Sequence, residues 1–436
     1  MRLSKHHPGQ DAVRRSGHCI ARIAALLLLA AWPRVSVAVS FDLTRVVDTS
    51  MSAPGTTGNF WVLEAPKFDA GQIVFSATDQ GVNNGLYAWA DGQLTTIVDV
   101  NTPQPGTSVN FASLGKFDLS DGHVVFFAQG EKPVGGDRAR GIYSNRNGII
   151  ELVAGLDTPI PGGTGNFESF GSQDVAIDGQ TVAFTGTGSS FQNGLYLDDN
   201  TTKTVVVDRN TTVPGQAQTF VGTGPIAMDD GQVVFRGWTS GDTIEGIYRS
   251  STSGLETIAD VTMAVPGGVG TFTSFGSMDV DAGDIGFRAE DGNGEAGVYL
   301  LHGGTLRRIA GTGDAIPGTE DVFGITISAP AVRNGQLVFT ARTDDDQWNT
   351  SIFHYDINGS LSRVIGTGDV LDGQTISDVT IREGGMDEGA FAFSVSFDDG
   401  SQAIYRSPPI PLPGAAFAGA RLLAVLGVTR SLRIRG

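Results

Sequence analysis

LTRVVD, residues 43–48, is the first strand-like stretch after an apolar leader, and it has the form of an ending. Close relatives of it close later units of the chain: LTTIVD at 94–99, LETIAD at 255–260 and LRRIAG at 306–311. A folded part that begins with the end of a repeat has to be read as repeats first. One anchor is a Gly followed by a short apolar run ending in Phe, as in AGQIVF and DGQVVF. It falls at Gly71, Gly122, Gly179, Gly231, Gly283, Gly335 and Gly389, at spacings of 51, 57, 52, 52, 52 and 54 residues. A second anchor is Gly-apolar-Tyr at 85–87, 141–143, 194–196, 246–248 and 297–299, altered to SIFHY at 351–355 and AIY at 403–405. A third is Pro-Gly with a Phe six residues past the Pro, from Pro54/Phe60 through Pro317/Phe323; the seventh unit has LDGQTI at 371–376 instead.

Each unit reads as four short strands. In the fifth they are expected near 277–282, 284–290, 298–302 and 305–311, joined by Gly-bearing hairpin turns. A longer loop with the Pro-Gly pair and the Phe leads to the next unit. Seven four-stranded units of about 52 residues specify an all-β, seven-bladed β-propeller. Six outermost strands are present, at 94–99, 149–154, 203–208, 255–260, 306–311 and 361–366. The seventh unit stops at AIYRS, 403–407, without one. Strand 43–48 is therefore expected to fill that place and close the ring, leaving no open edge to aggregate. An open solenoid of sheets would instead need a capping unit at each end.

Charge is distributed unevenly. The net charge is −18, with +5 in residues 1–38 and +4 in 408–436, which leaves −27 for 39–407. A body this acidic repels phosphate backbones, which excludes nucleic acid as a partner and suits cations, basic surfaces or plain solubility. Residues 1–38 read as a secretory signal peptide: a basic start, the apolar run IARIAALLLLAAW at 20–32, and Ser36-Val37-Ala38 as a cleavage site. The run is shorter than the ~20 residues of a membrane-spanning helix; an uncleaved anchor is the alternative. The single Cys, Cys19, lies in this segment, so the body needs no disulfides.

The other end, PPIPLPGAAFAGARLLAVLGVTRSLRIRG at 408–436, has a Pro hinge, an apolar stretch and an arginine cluster, in that order. It resembles the PEP-CTERM class of C-terminal sorting signals, in the Val-Pro-Leu-Pro-Ala variant, of Gram-negative bacteria. The resemblance rests on Pro411, Leu412 and Pro413, flanked by Ile410 and Gly414-Ala415, and on Arg430, Arg433 and Arg435. It implies export, an exosortase-type enzyme as partner, transient membrane association, and a home at the cell surface or in the extracellular matrix. Ile410 and Gly414 depart from the pattern, and Arg421 interrupts the apolar run. An amphipathic tail packed on the body is the alternative.

The Pro-Gly pair suits a turn in which Pro presets φ and Gly takes positive φ. The Phe is expected to pack between blades, and the Tyr to be a core residue with a hydrogen-bonded hydroxyl. Acids follow the outer strands (Asp48, Asp99, Asp157, Asp208, Asp260, Asp314, Asp369), and others begin the inner ones (Asp69, Asp118, Asp174, Asp279). No EF-hand or nonapeptide Ca²⁺ loop is present, so these read as turn caps, with Ca²⁺ the alternative. Asp344–Asp346 reads as a solvated hairpin tip. His123, His302 and His354 occupy unrelated blade positions, and no nucleophile elbow or zinc motif occurs. The D-x-x-x-P-G-G-x-G-x-F unit resembles repeat proteins of unknown function and implies no activity.

Two functional readings follow. One is a non-enzymatic surface or matrix module that binds a polysaccharide, a cation or an envelope protein. The other is an extracellular hydrolase or lyase acting on sugars or lactones. The second requires a cluster of Asp, Glu, Asn or His, not repeated between blades, facing the central channel.

Overall fold

The computed structural model describes residues 42–131, 139–171, 174–189, 192–344 and 349–409. The leader and the sorting-signal residues Pro411, Leu412, Pro413, Arg430, Arg433 and Arg435 lie outside them. The described residues form seven small antiparallel sheets and no α-helix. In the first blade the inner strand is Phe60–Leu63 continued by Lys67–Asp69; Gln72–Asp79, Asn84–Ala90 and Gln93–Asp99 follow outward. The other six repeat this order. The protein is a seven-bladed β-propeller.

The seventh blade is closed as its missing strand requires. Thr44–Asp48 pairs antiparallel with Gln402–Arg406, Thr44 opposite Arg406 and Asp48 opposite Ala403. Val47 is fully buried in this join. Arg45 fastens it: its guanidinium donates to Asp48 at 3.0 Å, to Asp372 at 2.8 Å and to the Tyr405 hydroxyl at 3.0 Å.

The recurring aromatics explain why the blades stack. Phe60, Phe75 and Tyr87 come from the inner, second and third strands of one blade, with the Phe60 and Tyr87 rings edge-to-face at 5.0 Å. This triad packs against Ala390, Ala392 and Ile404 of the seventh blade. The back of the first blade offers Val74, Leu86, Ala88 and Val98 to the triad Phe111, Phe126, Tyr143 of the second. Every junction repeats the scheme, an aromatic face against an aliphatic one. Burying each ring is worth about 1.5–3 kcal/mol, with ~0.5–1.5 more per well-set aromatic pair. The glycine before the Tyr is forced by the same packing. A Cβ at Gly85 would stand 2.8 Å from the Tyr87 ring, and one at Gly194 would stand 2.7 Å from that of Tyr196.

The inner strands begin earlier than the sequence spacing implies. Phe60, Phe111, Phe167 and Phe323 open them rather than lying in the preceding loop, and bulges let the strand splay around the channel. LDGQTI holds the place of the Pro-Gly turn, shortened: Val370–Leu371 pairs with Gln374–Thr380 through Asp372 and Gly373, both at positive φ, where the other six blades close a longer loop by a bridge such as Ala315 to Val322. The Tyr hydroxyls divide. That of Tyr405 donates to Asp372 at 2.9 Å, and that of Tyr143 accepts from Gln104, but those of Tyr87 and Tyr248 are buried without a partner.

Two outcomes follow for stability. Val47→Asp puts a carboxylate into the join and is expected to cost more than about 3 kcal/mol, with faster aggregation through the freed edge, read by thermal unfolding and light scattering. Tyr87→Phe is expected to be neutral or slightly stabilising, whereas Tyr405→Phe loses a satisfied hydroxyl and about 1 kcal/mol.

Candidate functional site: the central channel

Inner strands from all seven blades line one axial channel. Its wide mouth, a cavity of about 570 Å³, lies toward the beginnings of these strands. Its narrow end, about 70 Å³, lies toward their ends. The narrow end is built by a repeated contact. Each inner strand turns back through a two-residue hairpin whose residues are both at positive φ in most blades, such as Ala70-Gly71 and Asn334-Gly335. The last residue of one inner strand accepts a backbone N–H from the next blade's turn. Asp69 Oδ2 takes Asp121 N–H at 2.7 Å, and Ser120 Oγ takes Gly179 N–H at 3.2 Å. Asp178, Asp229, Asp281 and Asp387 accept from Gly231, Ala282, Asn334 and Gly71 at 2.6–2.9 Å.

The sixth position of this ring holds Arg333. Its guanidinium reaches Asp281 at 2.8 Å and Asp69 at 2.6 Å, with Asp387 at 3.4 Å. One cation thus ties blades five, six, seven and one across the axis. On the far side Asp229 has its pKa raised, first by burial and then by Asp281 and Asp178.

Above the ring the blades stop being equivalent. Lys67 Nζ lies 2.8 Å from Asp118 Oδ1, and Asp118 Oδ2 accepts the Ile177 N–H. Asp279 Oδ2 accepts two backbone N–H groups, Val332 at 2.9 Å and Gly384 at 3.1 Å. Both charged groups face the narrow channel rather than bulk water. Burial pushes the Asp279 carboxyl up to about 6, against Lys67 and the two N–H donors, with Glu383 adding to the rise. Burial works against the Lys67 ammonium, but Asp118, Glu383 and Asp279 outweigh it and hold its pKa above the usual lysine value. Nearer the mouth, Lys116 pairs with Asp174 and Arg382 with Glu64.

Asp118, Asp174 and Asp279 are therefore channel residues rather than turn caps, and Asp69 caps a turn of the next blade rather than its own. Asp174 directly precedes the strand Val175–Asp178, while Asp69, Asp118 and Asp279 lie within or end their strands. The inner strand is long and splayed, which carries its acids to the axis and to the neighbouring blade. Spacing exposes these four; Asp178, Asp229, Asp281, Asp387 and, in the sixth unit, Arg333 each stand directly before a hairpin turn, which is their signal in the sequence, whereas Lys67, Lys116 and Glu383 carry no such signal. The outer acids do cap turns: Asp48, Asp99, Asp208 and Asp260 accept the N–H groups of Ser50, Asn101, Asn210 and Thr262. Asp369 accepts the Gly366 N–H and also pairs with Arg363, and Asp314 pairs with Arg308.

Among the described residues, no three or more His, Cys, Asp or Glu side chains are placed to hold a metal. His354 is buried against Gln336, with its pKa lowered by burial to about 4, and His302 pairs with Asp284 at 2.8 Å. Of the tip at 344–346, only Asp344 lies among the described residues.

The model of a family of unknown function, DUF7453, matches residues 35–187 and 122–416. No curated protein matches the sequence. Solved structures with a similar fold include the β-propeller domain of the Trilobed protease from Pyrococcus furiosus, at 10% identity and a TM-score of 0.49, covering 81% of this chain and 97% of that one. A Mycobacterium tuberculosis puromycin-hydrolyzing peptidase matches at 11% identity and 0.46, covering 84% and 54%. The Pyrococcus horikoshii acylaminoacyl peptidase matches at 13% and 0.43, covering 82% and 54%. This chain spans about half the length of these two peptidases.

Asp279 sets a pH dependence. Its carboxyl titrates near 3.8 when unfolded and about 6 when folded, so its neutral form adds stability below pH 4 that is lost as pH rises through 6. Asp279→Asn keeps an acceptor for the two N–H groups and removes this loss. Unfolding midpoints of the variant are expected to gain on the wild type between pH 4 and pH 7.

Proposed function

The chain belongs to the DUF7453 family, and from that premise we propose that it is an exported, non-catalytic binding module that holds an extracellular saccharide in the wide mouth of its propeller channel. The observation that carries this reading is the mouth itself. It is a cavity within the ~300–1,000 Å³ range of small-molecule sites, edged by charged groups that differ from blade to blade. Uniform blades build the scaffold; a site resides in what differs between them. The basic leader and the tail with Pro411, Leu412, Pro413, Arg430, Arg433 and Arg435 support export and exosortase-type sorting to the cell surface or matrix.

The hydrolase or lyase reading is favoured by one feature, the cluster of Lys67, Asp118, Asp279 and Glu383 on the channel wall, charged groups that only some blades carry. Binding is preferred because the aspartates are already committed. Asp118 holds Lys67 and a backbone N–H, and Asp279 holds two backbone N–H groups on a single oxygen. A carboxylate bound to its own scaffold is poorly placed to exchange a proton with a substrate.

The test is co-sedimentation of the purified protein with exopolysaccharide from its source, with Ca²⁺ or a chelator, while new reducing or unsaturated ends are assayed. Binding without product supports the module, and a Ca²⁺ requirement would add the cation as a partner. Product formation that disappears in Glu383→Gln and Asp279→Asn would replace it with the enzyme.

A further inference from the structure

We propose that the saccharide held in the channel mouth is an amino sugar carrying a free ammonium group, recognised by the carboxylate of Glu383 on the floor of the mouth. The proposal rests on the reading above that the mouth is where a saccharide binds, and names the ligand's charge and the side chain that meets it.

Charge on the wall of the mouth is almost balanced, with one acid over. The four cations are all in ion pairs: Lys67 with Asp118 at 2.8 Å, Arg288 with Glu290 at 2.7 Å, Arg382 with Glu64 at 3.4 Å, and Lys116 with Asp174. These pairs use two of the wall's three acids, Glu64 and Asp174. The third, Glu383, makes no hydrogen bond or ion pair among the described residues. The cavity therefore keeps one uncompensated negative charge, inside a body whose residues 39–407 carry a net −27. Both the cavity and the field around it favour a cation.

The fold holds Glu383 in place. It stands in the turn between Gln374–Thr380 and Met386–Asp387 of the seventh blade. The next residue, Gly384, is fastened from two sides. It accepts the Phe68 N–H of the first blade at 2.7 Å and donates its own N–H to Asp279 of the fifth at 3.1 Å. Glu383 and Lys67 line both the mouth and the narrow end, so they mark the floor where one becomes the other. At that floor one ammonium serves three carboxylates: Lys67 touches Asp118, while Glu383 and Asp279 act on it from further off. A second ammonium here relieves the repulsion between Glu383 and Asp279, which adds to the effect of burial on Asp279.

The rest of the wall suits the sugar. An ammonium needs one counter-charge and further hydrogen-bond acceptors, and the Ser76 and Ser277 hydroxyls lie on the same wall. Phe117, Pro225 and Met278 give the apolar surface for a sugar ring's C–H face. The narrow end below, about 70 Å³, is too small for a sugar ring, so a ligand that enters the mouth stops on this floor.

The experiment is titration calorimetry of the purified protein at pH 5.5, where sugar amines are protonated. The probes are the glucosamine trisaccharide; cellotriose, the same skeleton with a hydroxyl in place of each amine; ethanolamine, a bare amine; and trilysine, a basic peptide. The glucosamine trisaccharide is expected to bind at least about tenfold tighter than any other probe, and Glu383→Gln to lose that margin, equivalent to ~1.4 kcal/mol. Glu256→Gln, at an ion pair with Arg249 on the outermost strand of the fourth blade, should leave binding unchanged. The comparison with cellotriose needs no variant, so it decides the ligand's charge independently of how Glu383→Gln folds. Equal binding of the two trisaccharides would overturn this proposal and leave the saccharide module standing. A preference for the amino sugar that survives in Glu383→Gln would overturn Glu383 as the group that meets it. Ethanolamine binding as tightly would overturn the proposal in favour of a bare cation site, and trilysine binding as tightly in favour of a basic peptide. Binding of no saccharide at all would remove both this proposal and the function it rests on.

Discussion

The main-chain hydrogen bonds between Thr44–Asp48 and Gln402–Arg406 join segments some 360 residues apart in sequence, and the ring exists because of them. Each blade is a wedge with an aromatic face and an aliphatic face, and neither face is stable in water. Seven wedges satisfy one another only if the first meets the last. The closing strand brings Val46 and Val47 into the cluster that seals blade one against blade seven. Without closure, the seventh blade would keep an unpaired edge beside an uncovered apolar face.

Closure also creates the channel, and the channel gathers residues that no single blade could bring together. The ring of carboxylates at the narrow end is structural. Each member satisfies a backbone N–H in a neighbouring hairpin, so each junction is tied by a polar contact at the axis as well as by its apolar core. Arg333 is the one position where this pattern changes sign. In place of one more acid it supplies a counter-charge to three of them, which relieves like-charge crowding where the axis is narrowest. The same substitution blocks the passage and gives the molecule an open face and a closed one.

At the level above, repetition gives way to difference. Lys67, Asp118 and Asp279 occupy one register position, two residues before the ring, in blades one, two and five, each in regular antiparallel pairing with the second strand, and Glu383 joins them on the same wall. Asp118 and Asp279 make the same contact, each accepting a backbone N–H from the next blade's inner strand. This wall therefore carries charge in some blades and not in others. The cost is visible in Asp279, whose raised pKa reports a carboxylate held away from bulk water.

Much of the architecture was legible in the chain. The seven-fold spacing of Gly, Phe and Tyr, and the displaced ending LTRVVD, determine seven four-stranded blades closed by the N-terminal strand, because turns and alternation are local and recur at fixed intervals. The Asp caps after the outer strands were legible for the same reason, since an Asx turn spans only two residues. Only the tertiary structure decided that Asp69, Asp178, Asp229, Asp281 and Asp387 reach the next blade, and that Arg333 spans blades five to one. It alone brought Lys116 and Arg382, more than 260 residues apart, to the wall of one cavity. Those relations depend on the splay of the inner strands and the closure of the ring, which are properties of all seven blades at once and of no single repeat.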